Sequence, residues 1–115
     1  MDIDTDVVPV TVDEALRMLR EGIKDADRDI MRRTPHPGDF HFSVGTWLRD
    51  NWSLWDERSH LRGAFRVIGL SHPVDISGYL IERLWVEARG GTFDSAAFVA
   101  RVQDHWITEI GTPIP

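Results

Sequence analysis

Five histidines, His36, His41, His60, His72 and His105, are the side chains of this 115-residue sequence best suited to acid–base or metal chemistry. No two stand four residues apart as a helical metal pair requires, and no H-E-x-x-H occurs. His36, Asp39 and His41 fall in one proline-rich turn and could share an ion geometrically. Short loops of that composition ordinarily lie hydrated on a surface, so neither metal nor cofactor is expected. Cysteine is absent, which removes thiolate zinc sites, iron–sulfur clusters, disulfides and cysteine nucleophiles together. Phosphate-cradling glycine loops and the G-x-S-x-G elbow are missing too. An enzyme would have to combine His41, Arg49, Asp50 and His72 around a cleft. Arg49 and Asp50, however, fall on the polar side of their helix, where charged residues usually meet water.

Two further features carry possible binding chemistry. Arg58, Arg62 and Arg66 recur every four residues, so a helix through them would line three guanidinium forks along one side. Such a row could grip phosphates or an acidic partner, or it could pair with Asp50, Asp56 and Glu57 of the same chain. Asn51 falls within an otherwise apolar helical arc, so its amide is expected to be buried and to need partners, at a cost of about 1 to 3 kcal/mol if unmet. A clamp onto a neighbouring helix end is the favoured reading, with a ligand contact as the alternative.

The elements that position these residues read as helices throughout. Thr11 and Glu14 form T-x-x-E, a capping box that opens a first helix over about 12–23. A short charged helix fits 24–33, and Pro35 and Pro37 break it. His41 to Trp55, HFSVGTWLRDNWSLW, holds three of the five tryptophans. On a helix, Val44, Trp47, Leu48, Asn51, Trp52, Leu54 and Trp55 share an arc about 160° wide, predicted to face the core over 42–55. Leu61, Ala64, Phe65 and Ile68 mark the next helix, with Gly69 as a left-handed cap and Leu70 folding back on Phe65. His72 or Ser71 caps a central helix that starts at Pro73 and runs to about Arg89, with Val74, Ile76, Ser77, Leu80, Ile81, Leu84, Trp85 and Ala88 on its inward arc and Tyr79 and Val86 on its far side. Gly90-Gly91 ends it. Thr92 or Asp94 caps a last helix to about Glu109 that buries Val99, Val102, Trp106 and Ile110. The expected architecture is all-α, a compact single-domain bundle of five or six helices over 11–110, with a short acidic arm at 1–10 and an extended tail at 111–115.

The segments HFSVGTWLRDNW and HPVDISG resemble a family of small bacterial and mobile-element domains of unknown function, with H-F-G-x-G-x-W-I-R-N-N-W followed by H-P-D-D-M-S-G. The matching residues are His41, Phe42, Gly45, Trp47, Arg49, Asn51 and Trp52, then His72, Pro73, Asp75, Ser77 and Gly78. Ser43 and Asp50 depart from the pattern. The resemblance implies a helical fold and singles out His41, Arg49, Asn51 and His72 as a polar cluster, but it brings no reaction with it.

Net charge is −6, and residues 1–57 hold thirteen acids against seven bases while 58–115 are balanced. Acidic surface repels nucleic acid at long range. The start lacks the basic flank of a secretory signal, and no apolar run approaches the ~18 residues of a membrane span, so a soluble cytoplasmic protein is expected. The leading expectation is a non-enzymatic interaction module of bacterial or phage origin that binds a protein partner through its acidic first half or its arginine row. An inhibitor occupying a partner's basic nucleic-acid channel is one concrete form. A small enzyme or ligand-binding domain around His41, Arg49, Asn51 and His72 is the alternative.

Overall fold

Helix starts follow the local signals closely. In the computed structural model, which describes residues 2–111 apart from the side chain of Ile110, Thr11 Oγ1 accepts the Glu14 N–H (3.1 Å) at the head of α1 (Val12–Gly22). The Glu14 carboxylate reaches back to the Val10 N–H rather than to the cap residue itself. α2 (Asp25–Arg33) follows at once, then one 3₁₀ turn (Pro37–Phe40), a wide π turn (His41–Gly45) and α3 (Thr46–Asn51). Ser59 caps α4 (His60–Val67), His72 caps α5 (Pro73–Ala88), and Asp94 caps α6 (Ser95–His105), which runs on as a π turn to Ile110. The fold is all-α, with six α-helices and no strand among the described residues. The tail expected beyond Gly111 lies outside them.

The tryptophan segment departs from its predicted continuous helix. α3 stops at Asn51 because Ser53 takes a left-handed conformation (φ 53°) and the Leu54 N–H donates back to Arg49 O (3.1 Å), a Schellman ending built without glycine. That reversal swings Leu54 into the core and throws Trp55 outward. Leu48, Trp52 and Leu54 are buried, Val44, Trp47 and Asn51 half-buried, and Trp55 is 56% exposed. The expected inward arc therefore holds for its first three turns and fails at its last residue.

α5 is the central helix; of its predicted arc Ile76, Ser77, Leu80, Ile81 and Leu84 are buried, while Val74, Trp85 and Ala88 are only half-buried. Tyr79, expected on the far side, is buried as well, because Phe65, Phe93 and Phe98 close around its ring at 5.1–5.5 Å. Two hydroxyl contacts, to Ser95 Oγ and from Arg83 Nη1 (both 3.0 Å), satisfy its phenol. α6 turns Phe98 rather than Val99 fully inward; Val99, Val102 and Trp106 are half-buried, and the Ile110 side chain is not among those described. At the end of α4, Gly69 (φ 102°) and the Leu70 N–H to Phe65 O bond (3.0 Å) form the predicted cap. The arm is no loose end. The Asp2 N–H donates to Gly22 O (2.9 Å), Ile3 lies so close over Gly22 that no side chain fits there, and Pro9 is buried.

Candidate functional site

Arg49 is only 6% exposed, which corrects its expected place on a solvated face: α5 covers that side of α3. Its Nη1 donates to Ser77 Oγ (2.8 Å), and its Nη2 to the His41 carbonyl (3.1 Å) and Thr46 Oγ1 (3.3 Å). All three acceptors are neutral, so a buried charge is held by dipoles with no carboxylate among its hydrogen-bond partners. Gly45 makes room for it, since a Cβ there would stand 2.8 Å from Nη1. Arg49 thus ties the π turn and α3 to α5.

The other three members of the predicted polar cluster do not converge on it as side chains. His41 joins through its backbone carbonyl, while its ring packs edge-on against Phe42 (4.7 Å) and lines a cavity of about 140 Å³ with Gly78, Glu82 and Phe98. Asn51 Nδ2 donates to Trp47 O (2.9 Å), so the amide bonds within its own helix instead of clamping a neighbouring one. His72 sits in a separate neighbourhood. Its Nδ1 accepts the Val74 N–H (3.1 Å), and its ring lies between Trp55 (5.9 Å) and Trp106 (5.7 Å). Trp106 in turn donates its indole N–H to Asp75 (2.9 Å), a neighbour of His72 that spacing gave no means of foreseeing.

The arginine row does not exist as a row. Ser59 Oγ accepts the Arg62 N–H (3.2 Å) and starts α4 at His60, which leaves Arg58 outside the helix. Arg58 folds onto Asp56, whose carboxylate accepts both its N–H (2.9 Å) and its Nε (3.3 Å). Those two bonds, the backbone one first, hold the Asp56 carboxyl below its usual range. Arg62 braces a corner, donating to the carbonyls of Ser71 (2.9 Å), Leu54 and Trp55 (3.4 Å each). Arg66, Asp50 and Glu57 are exposed.

A different surface gathers charge. Between the docked arm and α1 lies an open hollow of about 290 Å³ whose apolar lining is Ile3, Val7 and Met18. Asp2, Asp4, Glu14 and Glu21 line it with one base, Arg17, while Lys24 stands 3.7 Å from the Asp2 carboxylate. Val7, Val8 and Val10 are exposed apolar side chains of the arm. The alternating aspartates of the arm were visible in the sequence, but their position over α1 depends on the Gly22–Ile3 contact and was not.

Among the described residues no group of three or more His, Asp or Glu could hold a metal ion, and no helix is long and apolar enough to cross a membrane. A family model, the domain of unknown function DUF6794, matches residues 8–87. No curated protein and no solved structure matches the chain.

Proposed function

We propose that this chain, which belongs to the DUF6794 family, is a cytoplasmic, non-enzymatic interaction module that binds the basic surface of a protein partner, as an inhibitor or regulator of it. The observation that carries the reading is the hollow between the arm and α1, lined by Ile3, Val7, Met18 and four carboxylates with one guanidinium, the Asp2 carboxylate alone being paired outside it, with Lys24, among the described residues. That combination suits an arginine or lysine of the partner, whose aliphatic stem would lie on Ile3, Val7 and Met18 while its charged head meets the carboxylates. Such complementarity steers encounter and disfavours acidic partners. The scatter of His41, Asn51 and His72 around Arg49 supports the same ordering, because no shared cleft gathers their side chains.

Chemical-shift mapping with an arginine-rich peptide tests it. Perturbations are expected at residues 2–7 and 14–22, and the pair Asp2→Lys with Glu21→Lys is expected to weaken the peptide about five- to tenfold at low salt, less as salt rises. Shifts spread evenly over the molecule, or an affinity indifferent to the two reversals, would refute the assignment.

A further inference from the structure

The central helix carries a glycine where its packing does not ask for one. Gly78 stands inside the 16-residue α5, and a Cβ on it would meet only Phe98 Cζ, at 3.8 Å, an ordinary contact. Glycine inside a helix is destabilising relative to alanine, so the residue weakens the frame it sits in. Its missing side chain leaves open part of the cavity of about 140 Å³ between the turn at 37–41, α5 and α6. Pro37, Ile81 and the buried Phe98 are apolar lining, and His41 and Glu82 are polar lining. His41 is half-buried, yet neither nitrogen of its ring has a partner among the described residues. The Glu82 carboxylate is held by Arg101, whose Nη2 donates to both its oxygens (2.9 and 2.8 Å).

Volume and lining together select an occupant. A cavity of about 150 Å³ takes one benzene ring. A carboxylate offers acceptors alone, and a neutral imidazole one acceptor beside one donor, so a fitting ring brings a polar hydrogen of its own. A carboxylate or phosphate on the ligand would be repelled by Glu82. We propose that this cavity binds a phenol, one six-membered aromatic ring packed on Phe98 with its hydroxyl hydrogen-bonded to the His41 ring. The phenol is either a free small molecule or the side chain of a partner's tyrosine, the recognised group being the same. The cavity shares no lining residue with the acidic hollow.

Two-dimensional NMR titration with p-cresol tests it. Saturable shifts are expected at residues 37–41, 78–82 and 98 with a dissociation constant of about 1 mM or tighter, and toluene should bind about fivefold more weakly. His41→Leu, which keeps the backbone carbonyl that Arg49 uses, should abolish that difference. Gly78→Ala should raise the thermal midpoint by about 3 to 6 °C and yet weaken p-cresol about threefold or more, a pairing that a glycine required by packing would not give. N-acetyltyrosinamide separates the sources. Saturation of the same residues assigns the phenol to a partner's tyrosine, and its exclusion while p-cresol binds assigns it to a free molecule. No saturable shift up to about 10 mM p-cresol, toluene binding as tightly as p-cresol, or a lowered midpoint in Gly78→Ala overturns the proposal. Asp2→Lys with Glu21→Lys should leave the p-cresol titration unaltered, so this site and the hollow fail separately.

Discussion

Replacing Arg49 by methionine separates a structural guanidinium from one held ready for a ligand. Methionine keeps most of the apolar stem in place, so the change isolates the head group and its three hydrogen bonds. Ser77 Oγ loses little, since it still donates to Val74 O (3.0 Å), and the exposed Thr46 hydroxyl can hydrate. The His41 carbonyl is the acceptor left wanting, at about 1 to 3 kcal/mol. Against that stands the relief of no longer holding a charge away from water without a carboxylate partner, which offsets part of the loss. The net expectation is a destabilisation of about 0.5 to 2 kcal/mol for Arg49→Met. Arg49→Ala should lose several kcal/mol, because a cavity is added to the missing bonds. Urea unfolding with an unchanged slope measures both. A domain with ordinary stability of about 5 to 15 kcal/mol stays folded through the first change. An Arg49→Met protein as stable as the parent, or more so, would refute the tie between the π turn and α5. It would also return the His41 and Arg49 pair to the ligand-binding alternative, since the charge would then be kept at the expense of folding.

The two reversals that end α3 and α4 give opposite expectations. Ser53→Gly should stabilise by up to about 1 kcal/mol, because glycine takes a φ of 53° without the penalty a β-carbon brings there. Gly69→Ala should destabilise by about 1 to 3 kcal/mol, as the new methyl group meets Val99 Cγ1 and Gln103 Nε2 at 2.9 Å while φ is 102°. Thermal midpoints of the two variants check both, and a shift of either in the other direction contradicts the geometry.

Where the chain announces a boundary within four or five residues, it does so faithfully. Thr11, Gly69, His72 before Pro73 and Gly90-Gly91 are signals whose partners lie in the same turn, so no knowledge of the rest of the molecule was needed to place them. The misplaced features depend on distant partners or on unannounced turns. Ser53 carries no glycine to warn of a left-handed residue, so the helix seemed to run on and Trp55 seemed to face inward. Ser59 competes with the four-residue spacing of the arginines, and a cap outweighs a periodicity that only favours weak surface pairs. Tyr79 and Arg49 are buried by elements remote in sequence, Phe93 and Phe98 for the one and Ser77 for the other. A helical wheel ranks the faces of a single helix and cannot say how many of them are covered.

The motif residues and the proposed binding surface lie in different parts of the chain. Arg49 and Ser77 join the two segments by one hydrogen bond, Gly45 admits the guanidinium, Trp52 fills the core and His72 caps α5. These residues are engaged in holding helix starts together and lie within the matched span 8–87. Asp2, Ile3, Asp4 and Val7, four of the nine residues lining the acidic hollow, precede that span. α6 and the π turn after it follow that span and cover α5 through Phe98 on Tyr79 and Trp106 on Asp75. The family match therefore covers the frame, while part of the proposed binding hollow lies before the matched span. A sequence sharing the two motifs but lacking the alternating aspartates would then share the frame without the proposed affinity for basic surfaces.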